Sequence, residues 1–213
     1  RPGSIKICVE EELKRVITSI EAIHRNFPEA YISIDTYYSK VAMEAVAAGS
    51  SIVNDISAGS IDENMIADVA ALQVPYVLMH MPGTPQTMRQ QAQYENVTKE
   101  ILDFFIQKKS KLHKAGMHDI IIDCGFGFGK TAAHNFELLR NLSLFKMLDA
   151  PVLLGISRKS FIYKTLSITA EEALNGTTAL NTIGLMNGAG ILRVHDVKEA
   201  VQTVNLFEKY RKN

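Results

Sequence analysis

The stretch DIIIDCGFGFGK, residues 119–130, sets out the plan of this chain in twelve residues. Its apolar run, Ile120-Ile121-Ile122, is short and β-branched, which suits a strand buried on both faces rather than a helix. Asp123 then stands at the carboxyl edge of that strand, and the glycines beyond it leave the backbone open to close approach. The arrangement recurs along the chain. YISIDT (31–36) ends near Asp35, SIVNDI (51–56) presents Asn54, and VPYVLMH (74–80) ends at His80. PVLLGIS (151–157) leads to Ser157 and Lys159, and ILRVHDV (191–197) carries Arg193 and His195.

Helical periodicity fills the intervals. Val9, Leu13, Val16, Ile17, Ile20 and Ile23 repeat at helical spacing, and Ser39 is set to cap a short helix that Gly49 closes. Longer periodic stretches cover about 96–115, 134–148, 171–187 and 197–211, the first stopped by Gly116. Apolar strands alternating with helices predict an α/β protein with a covered parallel sheet. Two architectures satisfy the pattern, a six-stranded doubly wound sheet and part of an eight-stranded barrel. Either one binds ligands at the carboxyl ends of its strands, where the polar residues collect.

Composition narrows the partner. Lys plus Arg equal Asp plus Glu at 23 each, so no overall positive field exists to recruit nucleic acid or an anionic membrane surface. No apolar run approaches the ~18 residues of a membrane span. The two cysteines, Cys8 and Cys124, form neither a disulfide framework nor a metal pairing, which suits a reducing, cytoplasmic setting. At 213 residues the chain, 1–213, reads as one domain that binds a polar, anionic small molecule. It opens on Arg1-Pro2-Gly3, a loop without the strand that should feed it, so a fragment lacking its N-terminus is expected.

The glycine-rich segment carries the most specific chemistry. Asp123 can accept two hydrogen bonds from an amidine-like edge, as in a 2-amino-4-oxo pyrimidine ring, with Phe126 and Phe128 as an apolar wall. Asp123 capping the next helix is the plainer alternative. CGFGFGKT misses the P-loop pattern at its first glycine, where Cys124 stands, and a GxGxxG fingerprint is absent. Ser157-Arg158-Lys159-Ser160 offers two cations and two hydroxyls for an anion. Arg193 and His195, on one side of the last strand, can stack on a ring and bind a leaving group. Asp35 and Asn54 add further polar edge contacts, Asp55 can anchor its loop, and Met79 and Met81 can serve either as a soft wall or as core. His80 has no His-x-His or His-Glu-x-x-His context for zinc.

Taken in order, RPG (1–3), SIDT (33–36), NDI (54–56), MHMPGTPQTM (79–88), DCGFGFGK (123–130), GISRKS (155–160) and RVHDV (193–197) closely resemble the dihydropteroate synthase family of bacterial folate synthesis. The resemblance runs from Arg1 to the end. It implies a (β/α)8 barrel whose strands three to eight are the six seen here. Two further strand-helix units, roughly 60 residues, would then precede Arg1. It implies condensation of 6-hydroxymethyl-7,8-dihydropterin diphosphate with 4-aminobenzoate, giving 7,8-dihydropteroate and diphosphate. By motif, Asp35, Asn54, Met79, Asp123, Phe128, Lys159 and Arg193 would meet the pterin. Arg1, Pro2, Ser157 and Lys159 would border the aminobenzoate, and Arg1, Arg193 and His195 would hold the diphosphate. Lys159, Arg193 and His195 are the implied catalytic group.

The resemblance also implies magnesium, with its Asn ligand in the segment ahead of Arg1 and no metal ligand in 1–213. A homodimer and binding of sulfonamide-type analogues are further family expectations. The family usually carries Pro at the position of Cys124. A pterin-binding methyltransferase domain and a non-catalytic pterin-binding paralogue are the alternatives; the former has no need of the SRKS and RVHD cations.

Overall fold

Six short strands form one parallel sheet whose order follows the chain: β1 (Ser33–Asp35), β2 (Ile52–Asp55), β3 (Tyr76–Met79), β4 (Ile120–Asp123), β5 (Val152–Leu154) and β6 (Ile191–Leu192). The structure, a computed structural model, describes residues 7–212; Arg1 and Pro2, both named above as ligand contacts, lie outside the described residues. Every neighbouring pair is parallel, and the order never turns back on itself. A doubly wound sheet needs a switch point at which the order reverses, so that architecture is removed. With right-handed crossovers, an unreversed order places the connecting helices on one side of the sheet.

The sheet curls toward its other side. Arg193, one residue past β6, pairs at 2.5 Å with Asp35, the last residue of β1. On a flat sheet, five strand spacings of ~4.8 Å would hold these two positions about 24 Å apart. No arginine side chain spans that distance, so the two outer strands must bend toward each other.

The helices are α1 (Val9–Asn26), α2 (Ser39–Ala47), α3 (Met65–Leu72), α4 (Val97–Lys114), α5 (Ala132–Arg140), α6 (Ser160–Leu166), α7 (Leu174–Met186) and α8 (Val197–Lys212). Successive helices lie side by side, α1 on α2, α2 on α3, and each of α4 to α7 on the next. Strand alternation divides the residues between the two faces. Ile34, Val53, Tyr76, Leu78, Ile122 and Leu154 join the main core under the helices, whereas Val77, Met79 and Leu153 are buried outside it. Asp35, Asn54 and Asp123 each directly follow a residue of the first group, so they point to the concave face.

Local structure agrees with the sequence in most places. On α4, Ile101, Phe105 and Leu112 are fully buried, each contributing roughly 1.5–3 kcal/mol by leaving water. Asn96 caps that helix by accepting from the Lys99 N–H at 2.9 Å, and Gly116 ends it with φ +91°. Three details differ. The stretch expected at 134–148 divides into α5 and a 3-10 segment, Leu142–Leu148. Ser39 is the first helical residue rather than the cap, and its backbone N–H donates to Asp62, 2.8 Å away and 23 positions along the chain. The short helices α3 and α6 had no periodic signature of their own. Among the described residues, no helix is long and apolar enough to cross a membrane.

Candidate active site

The concave face gathers its polar groups at the carboxyl ends of the strands. Asn54 donates its side-chain amide to Asp35 Oδ1, while Arg193 reaches Asp35 Oδ2. The Asp35 and Arg193 side chains remain about half exposed, so solvent screens the pair and its main effect is orientation rather than stability. Asp123 is buried. Its Oδ1 accepts from the Gly125 N–H at 2.8 Å, and among the described residues no donor reaches Oδ2. Burial raises the pKa of this carboxyl, opposed by the Gly125 N–H and then by Lys159, Lys130 and Arg193. Gly155 lies between the partners: a Cβ there would stand 3.9 Å from Asp123 Oδ2 and 4.0 Å from Arg193 Cβ. The helix-cap alternative for Asp123 fails, because Thr131 caps α5 in a reciprocal pair with His134.

Lys159 lies across Phe128, its Nζ 4.5 Å from the ring centroid. Burial lowers its pKa, with Asp123 the main opposing influence. Gly127 permits this approach; its φ is +78°, and a Cβ would come within 3.3 Å of Lys159 Cδ. Phe128 is half-buried, yet Phe126 is not part of the wall. It is 1 % exposed and packs on Phe161, so only one of the two expected phenylalanines faces the cleft. Met79 is buried in register with Asp123, on the concave side.

The anion cluster forms by loop contacts rather than strand alternation, since β6 ends at Leu192. Arg193 turns toward Asp35, while His195 is held by Ser157: its backbone N–H donates to Ser157 Oγ at 3.2 Å, and its Nδ1 lies 3.0 Å from the same oxygen. Among the described residues Nε2 has no partner, leaving it available to an anion. Arg158 makes a bidentate pair with Asp196 at 3.0 and 2.5 Å, tying together the loops after β5 and β6 instead of entering the cleft. Asp55 anchors its own loop. It accepts from the Ser57 N–H and hydroxyl, the Gly59 N–H and the Tyr76 hydroxyl, all at 2.7 Å.

Two supports of the site carry no clear sequence signal. Asn135 Oδ1 accepts from the Gly127 N–H at 2.8 Å, and Lys130 lies half-buried behind the glycine loop against His80. His80 is kept neutral: burial, then Lys130, lowers its pKa to about 3. In the unfolded chain it titrates near 6.5, so its contribution to stability is complete above that pH and drains away as pH falls toward 3. Between pH 7 and pH 5.5 wild type loses about 1 kcal/mol on this account, and the His80→Gln variant lacks that increment of slope. Denaturant melts of both proteins at the two pH values check this, and parallel slopes refute it.

Among the described residues, no group of three or more His, Cys, Asp and Glu is arranged to hold a metal ion. The site is a buried carboxylate beside a cation and an aromatic ring, with an amide-carboxylate edge on one flank and an Arg-His anion site on the other. Such a site can take a flat ring that donates hydrogen bonds and carries an anionic arm.

Known proteins combine these features. Residues 1–195 match the family described as pterin binding enzyme. The dihydropteroate synthase of Escherichia coli K12 is 40 % identical over 210 residues, covering 98 % of this chain and 74 % of that protein. A solved Yersinia pestis dihydropteroate synthase with a sulfonamide drug complex superimposes with a TM-score of 0.96 at 35 % identity, covering 100 % of this chain and 78 % of the other. The Xanthomonas albilineans enzyme in complex with 7,8-dihydropteroate gives a TM-score of 0.89 at 35 % identity, over 96 % and 78 %. The ordered motifs, the unreversed curled sheet and the polar groups on its concave face thus agree with the matches: the chain belongs to the pterin-binding enzymes, in the dihydropteroate synthase family.

Proposed function

We propose that the protein condenses 6-hydroxymethyl-7,8-dihydropterin diphosphate with 4-aminobenzoate, releasing 7,8-dihydropteroate and diphosphate. One observation carries this reading. A buried carboxylate with an open oxygen, Asp123, and a separate anion-facing pair, Arg193 and His195, converge on one concave face. In this reading Asp123 accepts from the pterin's ring N–H and amino groups, and Asp35 with Asn54 meets its other polar edge. Met79, Phe128 and Arg193 border the ring's faces. Lys159 reaches the pterin from above Phe128 and, with Ser157, Arg1 and Pro2, borders the aminobenzoate. Arg1, Arg193 and His195 hold the diphosphate.

The chemistry needs no protein nucleophile. The aromatic amine nitrogen bonds to the methylene carbon, the carbon-oxygen bond to diphosphate breaks, and the amine loses a proton. Lys159, Arg193 and His195 stabilise the negative charge that grows on the departing oxygen, while the ring contacts fix the carbon in line with the amine. Magnesium would supply further neutralisation of the charge on the departing diphosphate, which Arg193 and His195 would hold.

The finer architecture belongs to the same proposal. The strands correspond to three to eight of a (β/α)8 barrel, and 1–213 is one pterin-binding domain. A cytoplasmic homodimer that also binds sulfonamide-type analogues completes the reading. The test is condensation by the intact protein with both substrates. Formation of 7,8-dihydropteroate is expected; a corrinoid methyltransferase or a non-catalytic paralogue makes none, and absence of product overturns the proposal.

A further inference from the structure

Lys130 closes the DCGFGFGK motif, yet the reaction outlined above gives it no task. Its ammonium lies behind the glycine loop, 3.0 Å from the Gly125 carbonyl oxygen, 3.0 Å from that of Phe128, 3.3 Å from that of His80 and 3.1 Å from His80 Nδ1. An ammonium has three protons for these four acceptors, and a neutral amine would have two. The acceptors belong to two elements. His80 directly follows β3, while Gly125 and Phe128 lie on the loop after β4. That loop bears Gly127, which admits Lys159, and Phe128, which lies under Lys159, and its Gly125 N–H holds Oδ1 of Asp123 at the end of β4.

The loop runs close against the end of β3. Gly125 has φ +67°, and a Cβ there would fall 1.9 Å from the His80 carbonyl oxygen, so the two backbones touch at the point where Lys130 bridges them. The Gly125 carbonyl also accepts from the Phe128 N–H at 3.0 Å, and the Lys130 ammonium adds a donor that the His80, Gly125 and Phe128 carbonyls share.

We propose that Lys130 is a positioning residue for pterin recognition: by joining His80 to Gly125 and Phe128 it holds the glycine loop in the shape that aims Asp123 and Phe128 at the ring. This rests on the functional reading above. The groups facing the ammonium are His80 from the end of β3, Asp123 and Cys124 from the end of β4, and Lys159 from the loop after β5. Burial pulls the Lys130 pKa down to about 7, Cys124 and Asp123 acting against it and Lys159 with it. The carbonyls favour the ammonium as well, because they accept from the charged form.

The test compares Lys130→Met, which keeps the length and removes the donors, with Lys130→Gln, which retains two amide protons, in the intact protein. Lys130→Met should raise the Kd for the pterin substrate at least about tenfold, with Lys130→Gln between it and wild type. The KM for 4-aminobenzoate at saturating pterin should change less than about twofold, a split that general loss of structure does not produce. In ligand-free protein, amide hydrogen exchange at residues 125–128 should quicken in Lys130→Met while α4 and α7 stay protected. If Lys130→Met does not fold, His80→Leu, which removes one acceptor and leaves the carbonyls, should shift pterin affinity in the same direction by a smaller factor. Unchanged pterin affinity in Lys130→Met, or in His80→Leu where Lys130→Met cannot be measured, overturns the proposal. So do equal losses for both substrates, or unchanged loop exchange. The exchange experiment needs no ligand, so a wild type that fails to bind pterin sinks the functional reading while the role of Lys130 in shaping the loop is still decided.

Discussion

Replacing Asp123 by Asn should weaken binding of the pterin substrate by at least about 2 kcal/mol, roughly thirtyfold, with the fold intact. The fold survives because the Asn carbonyl can still accept from the Gly125 N–H, the one donor on Oδ1 among the described residues. Binding suffers because the other oxygen becomes an NH2 group. In the proposed pose it would face the N–H groups of the ring, donor against donor, at a residue only 8 % exposed. The pH dependence provides a second sign. Burial raises the Asp123 pKa, so wild-type affinity should fall as pH drops through that raised value, and the Asn variant should not show this loss. Calorimetric titration with the pterin substrate across mildly acidic pH measures both effects. Wild-type affinity in the variant would remove Asp123 from the site.

How far the sequence carried this picture depends on what kind of contact each feature needs. The strands were legible because short apolar runs ending in a polar residue are local patterns, and Asp35, Asn54 and Asp123 do share the concave face. Whether the sheet was wound once or twice was not legible from periodicity. It depends on which strands neighbour one another, and the pairing of Arg193 with Asp35, 158 positions apart, is the long-range fact that decides the curl. The same distinction explains the site. The separation of Phe128 from Phe126 depends on Phe161, and the helix-start donor of Ser39 is satisfied by Asp62; neither partner is adjacent in sequence. Lys130 is the clearest case. The segment misses the P-loop pattern and gives Lys130 no other task in sequence; its two His80 acceptors become apparent only when β3 and β4 lie side by side.

Diphosphate supplied with magnesium should raise the melting temperature of the intact protein, because a ligand that binds only the folded state stabilises it by mass action. At a free concentration near 100 times Kd the gain is about 2.7 kcal/mol, or roughly 5–10 °C for a protein of this size. Arg193 and His195 are the groups expected to carry it. His195 offers Nε2 because Ser157 engages Nδ1, and Arg193, with its side chain about half exposed beside Asp35, can turn its remaining donors to a phosphate. The Arg193→Ala, His195→Ala double variant should lose the whole rise, and its turnover should fall by a factor of about 100 or more, as the loss of two charge-assisted contacts implies. Lys212→Ala, at the exposed end of α8, should keep both. Ionic strength must be held constant, since general screening also shifts melting of a charged protein. A methyl-bearing folate has no anion at its reacting carbon, so a methyltransferase gains nothing from this Arg-His pair. Equal stabilisation of wild type and double variant would therefore overturn the anion site and, with it, the main residue-level reason for assigning diphosphate as the leaving group.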